Sequence, residues 1–310
     1  MESVNRTQLN ILTAIVLLTL TLGGTPTGHA QTSGAANTAA LSKSLQDVYL
    51  YWRNAIVGKN YYAWKQITAS HRVISIQNRI VSEKGAFPAD IFNLPAAPPA
   101  LNGLKLLRAR SKGVTAKAVY FGEIDFGVGG KPTDNLLVLS YVHEGRSWKY
   151  DSAEFVNLSS LKDVRTQLQA KNYTYIDGAA FMPNGVRPIK PIVVARAKYI
   201  TKVYTYCPGR EVKVSVNKIS KHRFQDIQRA EVVAGGARDG MNRLTYTIKN
   251  LPGYSGDDPI TIRVYLFSQI KGVKPVNVFQ YQTKKGEKPK AQGSVTFNVS
   301  AAIGRRILGR

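Results

Sequence analysis

Apolar residues recur every three to four positions early in the chain and every second position later on. Leu41, Leu45, Val48, Trp52 and Ile56 share one helical stripe, while Lys43, Asp47, Arg53 and Asn54 fall off it. Gly58 marks the stop of that helix. A second helix is predicted over Tyr61–Thr68 with Trp64 and Ile67 inward. Ser70 can cap a third, running to about Ser82, with Val73, Ile80 and Ile76 or Gln77 on one face. Pro88, Pro95, Pro98, Pro99 and Gly103 punctuate residues 85–103, which leaves room for one turn of helix at Asp90–Asn93.

The period then becomes two. Leu104–Arg110, Thr115–Phe126, Asn135–His143 and Trp148–Val156 read as four strands, with turns at Gly127–Gly130 and Glu144-Gly145. A helix is predicted over Leu158–Ala170. Residues 171–191 have little periodicity and contain Gly178, Pro183, Gly185, Pro188 and Pro191, so they read as a linker. Beyond it come seven candidate strands: Val193–Tyr206, Glu211–Ile219, Ala230–Val233, Arg243–Ile248, Ile260–Phe267, Val276–Gln282 and Gly293–Val299. Short strands separated by Pro-Gly, Gly-Gly and Asp-Gly turns predict an all-β sandwich over residues 192–300. The basic tail 301–310 has room for one helical turn.

The expected fold class is therefore α+β, with a mixed domain at 41–170 and a β-sandwich after the 171–191 linker. The helix carrying Trp52, the helix carrying Trp64, the third helix and the long antiparallel strands that follow resemble the NTF2-like (SnoaL-like) superfamily. That resemblance implies a cone, with a curved sheet wrapped round the helices and a pocket between them. The superfamily includes enzymes, transport factors and binding modules, so it implies no single activity. The second domain is similar to an immunoglobulin-type sandwich but lacks its Cys…Trp…Cys signature.

Three further features change the picture. Residues 11–22 (ILTAIVLLTLTL) are uncharged and too short to span a bilayer. Gly28-His29-Ala30 then offers a small-residue cleavage site before Gln31. A signal peptide is expected over 1–30, a flexible lead over 31–40, and a periplasmic or extracellular protein with no transmembrane segment once the signal is removed. Cys207 is the single cysteine, which excludes an internal disulfide and a cysteine-based zinc site. It reads as a buried thiol, or else as an intermolecular or reactive one. The formal charge is +24, and it is uneven. Residues 31–187 carry 19 basic and 11 acidic side chains (+8), whereas residues 188–310 carry 23 and 7 (+16). Such an excess attracts polyanions.

Candidate chemistry is sparse. Glu123 and Asp125 share one face of their strand, and burial of that face would raise a carboxyl pKa toward general acid–base use. The other placement puts Tyr120, Ile124 and Phe126 inward and the carboxylates in solvent, and the better core residues favour it. His71 begins a helix and His143 ends a strand. His71 with Asp125 would suit a SnoaL-like isomerase or hydrolase, though a capping or surface role serves His71 equally. His222 lies in Lys218–Phe224, read as a basic loop. No His spacing suits a metal, no GxSxG elbow or phosphate loop occurs, and no cofactor is implied. Lys284, Lys285, Lys288 and Lys290 form the densest basic run and could contact a polyanion, or simply keep a hairpin tip solvated. The expected function is a non-catalytic exported binding or adaptor protein of the cell envelope, whose partner is an envelope polyanion or another protein; nothing marks a dedicated nucleic-acid motif. The alternatives are a SnoaL-like small-molecule enzyme and a polyanion (acidic glycan or anionic lipid) binder acting through the sandwich.

Overall fold

The computed structural model describes residues 33–124, 133–254 and 256–310. The expected signal peptide, Asp125 and the Gly127–Gly130 turn lie outside them, whereas the stretch expected as a flexible lead is helical from Ser33. The chain mixes helices with three antiparallel four-stranded sheets. Contacts group residues up to Val73 with Ile91–Lys190 in one compact unit, and Ile74–Asp90 with Pro191–Arg310 in another.

In the first unit, α1 (Ser33–Val57) and α2 (Tyr61–Ile67) precede the sheet. Asn60 caps α2 by accepting the Ala63 N–H at 3.0 Å. The sheet runs in the order β1 (Lys105–Lys112), β2 (Thr115–Ile124), β3 (Thr133–Glu144), β4 (Ser147–Asn157). Leu45, Val48 and Tyr49 of α1 pack on one face against Ala109, Ala116, Ala118, Leu137 and Tyr141. The small side chains of β1 and β2 leave room there for the rings of α1. On the other face, Val119, Leu136 and Val138 meet Leu168 of α4 (Lys162–Gln169). Ile176 and Phe181 join them from two 3-10 turns, Thr174–Asp177 and Ala179–Phe181. The stretch that reads as plain linker thus contributes two side chains to this core. β3 is buried on both faces, which is why Leu136–Leu139 is an unbroken apolar run.

Helix α3 (Ser70–Ser82) begins in the first unit and ends in the second. Asn78 donates to the Ile192 carbonyl at 2.7 Å and accepts from the Val194 N–H at 3.0 Å. Ser82 Oγ accepts the Gly235 N–H at 2.8 Å. Polar residues on a helix face give no sign of such partners in the periodicity.

The second unit has two sheets. One runs β11 (Val276–Gln282), β10 (Thr261–Phe267), β5 (Ile200–Tyr206), β8 (Gln228–Val232). The other runs β12 (Gln292–Val299), β9 (Gly240–Asn250), β6 (Arg210–Val216), β7 (Ser220–Gln225). Inward residues of both, including Val203, Val214, Phe224, Leu244, Ile262 and Val264, make one core in a sandwich-like arrangement. Two sequence expectations need correction. Lys218–Phe224 is no loop: Ser220–Gln225 is strand β7, with Ser220, His222 and Phe224 buried and Lys221, Arg223 and Gln225 exposed. Two of its three inward residues are polar, which hid the period. The first strand starts at Ile200, well after Val193. The tail forms α5 (Ala301–Leu308), capped by Ser300, with Ile307 buried.

Candidate functional site

The described candidates of the first unit, His71, Glu123 and His143, are not gathered together. His71, near the start of α3, lies with Nε2 2.9 Å from Asp151 Oδ1, and Arg72 Nε donates to the same oxygen at 2.9 Å. Burial alone would raise the Asp151 pKa, but the His71 hydrogen bond and the Arg72 charge outweigh it and hold it below the ordinary value. The neighbouring Ser70 N–H and hydroxyl both donate to Glu144. His71 therefore belongs to a closed network that pins the helix start to the sheet. Glu123 is exposed on β2 opposite Asp134, while Tyr120 and Ile124 are buried. His143 packs edge-on to Trp148 at 5.0 Å. His143 and Asp134 lie nine residues apart on β3, about 30 Å at strand rise, so Glu123 and His143 share no pocket.

Inside this unit, Trp52 stacks on Tyr150 at 3.9 Å, and Trp64 is fully buried. Burial pushes the Tyr120 pKa up to about 12 and raises that of Tyr141 as well. These phenols stay neutral, and neither hydroxyl meets a hydrogen-bond partner among the described residues. An open groove of 840 Å³ lies at the start of α1, with Leu41, Trp148 and Met182 beside Ser44, Arg110 and Lys112. Arg110 is engaged by Asp177 at 2.5 Å.

The second unit contains a Ser–His–Glu sequence of hydrogen bonds: Ser220 Oγ to His222 Nε2 at 2.8 Å, and His222 Nδ1 to Glu231 Oε2 at 2.9 Å. Arg229 also pairs with Glu231. The order imitates a hydrolase triad, but Ser220 and His222 are buried in the sandwich. Ser220 Oγ also takes the Ala234 N–H at 2.8 Å. The network ties β7 to β8 across the two sheets. Cys207 is likewise buried, with its thiol pKa raised by burial. Among the described residues, no cluster of His, Cys, Asp and Glu could hold a metal ion, and no helix is long and apolar enough to cross a membrane.

What the second unit does expose is a basic sheet face. Alternation forces Val212, Val214 and Val216 of β6 and Leu244, Tyr246 and Ile248 of β9 into the core. Their neighbours therefore point outward. Register aligns Lys213 with Arg223 on β7 and with Thr247 on β9, which in turn faces Gln292 on β12. One step along, Lys221, Ser215, Thr245 and Ser294 form a second row. Arg243 and Thr296 open the next, and Lys249 lies at the other end beside Glu211. Five cations thus share this face with a single carboxylate. Burial alone would raise the Glu211 pKa, but bonds from Arg223 at 2.5 Å and Lys213 at 3.2 Å hold it low. Asn217 and Lys218 both adopt the left-handed conformation in the β6–β7 turn, and the Asn217 Oδ1 accepts the Arg243 N–H at 3.0 Å, holding the turn to β9. The lysines of the 284–290 run are all exposed, as expected, but their loop also holds Glu287, which accepts the Lys284 N–H at 2.8 Å. The sequence singled out this local run; the rows on β6, β7 and β9 are assembled only by pairing.

Compared with protein-family models, with curated proteins and with solved structures, the chain matches none.

Proposed function

We propose that this chain is a non-catalytic, exported binding protein whose sandwich domain holds an acidic polysaccharide. The observation that carries the reading is the outward face of β12-β9-β6-β7. Lys213, Lys221, Arg223, Arg243 and Lys249 stand there on rigid strands among Thr, Ser, Asn and Gln side chains. Neighbouring strands lie about 4.8 Å apart and successive outward residues about 7 Å apart, so the cations form a flat lattice rather than a pocket. A lattice of that kind suits a repeating anion. The hydroxyl and amide side chains between the cations suit sugar hydroxyls, whereas a lipid surface would favour protruding apolar anchors. Met241 is the one large apolar side chain exposed on β9. The first unit serves as a scaffold of NTF2-like organisation: α1 and α2 lie on one face of a four-stranded sheet, with aromatic rings filling the space between. Among the described residues, no acid and base converge on that space.

The test is retention of the full chain on immobilised alginate, a polyuronate. Binding at low salt should fade as the Debye length falls from about 30 Å at 0.01 M to about 8 Å at 0.15 M. It should be lost in the Lys213→Glu/Lys221→Glu/Arg223→Glu variant. Retention indifferent to salt and to these reversals would refute the proposal.

A further inference from the structure

The opposite sheet presents a different surface. On β5, Val203 and Thr205 are buried, so Lys202, Tyr204 and Tyr206 face outward; on β10, Ile262, Val264 and Leu266 are buried, so Arg263, Tyr265 and Phe267 do. Register places Tyr204 beside Arg263 and Tyr265 beside Lys202. Reading along the two central strands, Tyr206, Tyr204, Tyr265 and Phe267 make a diagonal of half-buried rings. Successive steps are about 7 Å along the strands, and the Tyr265 and Phe267 centroids lie 6.5 Å apart. The strip is about 20 Å long. Amide side chains border it: Gln280 and Gln282 on β11 and Gln228 on β8.

We infer that this aromatic strip on β5 and β10 is a second binding surface, which takes the ring faces of a neutral polysaccharide chain. Rings on the outward side of a sheet contribute nothing to the sandwich core, and a row of them is a surface that a flat apolar partner can cover. Tyrosine suits sugar: its ring lies against the C–H face of a pyranose while its hydroxyl and the bordering amides meet the sugar hydroxyls. The charge on the strip argues for a neutral occupant. Lys202 is paired with Glu83 at 3.0 Å and also lies over the Phe267 ring. That leaves Arg263, which donates to Gln282 Oε1 at 3.0 Å and sits near the Tyr265 hydroxyl. A single-stranded nucleic acid needs a run of cations along its backbone beside the stacking rings, and the strip has none. The inference stands apart from the basic face, because stacking is insensitive to salt.

Isothermal titration of the full chain with cello-, xylo- and manno-hexaose, each at about 0.05 M and about 0.5 M NaCl, tests it. At least one should bind with an affinity unchanged by salt. Tyr204→Ala with Tyr265→Ala should weaken it about tenfold or more, equivalent to about 1.4 kcal/mol. Tyr204→Phe with Tyr265→Phe, which keeps the rings, should bind within about threefold of the parent, under about 0.7 kcal/mol. Should the Ala variant melt early, Tyr204→Thr with Tyr265→Thr replaces it, since Thr suits a strand. Lys213→Glu/Lys221→Glu/Arg223→Glu should leave this binding intact even where it abolishes alginate retention. The inference fails if none of the three oligosaccharides binds, if salt removes the binding, or if ring removal leaves it unchanged. It also fails if the strip instead holds oligo-dT and the ring variants release it.

Discussion

The two units use charge in different ways. In the first, three acidic groups are engaged inside local networks: Asp151 by His71 and Arg72, Asp177 by Arg108 and Arg110, Glu144 by the start of α3. Its polar chemistry serves to join helix to sheet. In the second, Glu211 and Glu231 are also engaged, but the basic excess of +16 over residues 188–310 far outruns them, and strand alternation sets part of it in rows facing solvent. Regular structure lines an excess of charge up into an ordered surface. Scattered on helices and loops, the same side chains serve solubility and local pairing.

The comparison breaks most sharply at the core of the first unit. Trp64 is fully buried under α2, so Trp64→Ala should cost about 3–5 kcal/mol in chemical denaturation. A loss below about 1 kcal/mol would mean that the helices do not carry the unit. Next comes the basic face. Three reversals at about 1 kcal/mol each should lower alginate affinity about 100-fold, with only a small fall in melting temperature from the lost Glu211 pairs. A large drop in melting temperature would show that these cations support the fold, as the ion pairs of the first unit do.

Asp151→Asn should destabilise the chain by roughly 1–3 kcal/mol, because His71 and Arg72 lose their shared acceptor. The pH dependence follows the same carboxylates. Asp151, Glu211 and Glu231 all have folded pKa values below their unfolded ones. Their stabilisation is therefore complete above the ordinary carboxylate value of 4.5 and is lost as pH falls through the lower folded values. Stability measured against pH should be flat above that point and decline below it, and Asp151→Asn should flatten part of the decline. The smallest effect is expected at the 284–290 loop. Reversing Lys284, Lys285, Lys288 and Lys290 should reduce alginate binding only about threefold to tenfold, because no strand register lines these lysines up and the loop holds Glu287. A larger loss there than at Lys213, Lys221 and Arg223 would move the site to the loop.

Much of the architecture was legible because it depends on local periodicity. The α1 stripe, the four strands of the first sheet and most strands of the second unit follow from which side of each element is apolar, and that is written in neighbouring residues. What the sequence hid lies where a residue's partner is distant or polar. Ser220 and His222 face inward because Glu231 and the Ala234 N–H meet them there, so β7 does not read as a strand. Asn78 and Ser82 look like ordinary helix polar residues until Ile192, Val194 and Gly235 are brought to them. His71 finds Asp151, eighty residues away, in place of any partner suggested by spacing. The sequence by itself determined the α+β class, the basic excess and the absence of an internal disulfide. Only the tertiary structure decided how that excess is displayed, because Lys213, Arg223, Thr247 and Gln292 become neighbours through register, and register is set by turns and buried faces across the whole second unit.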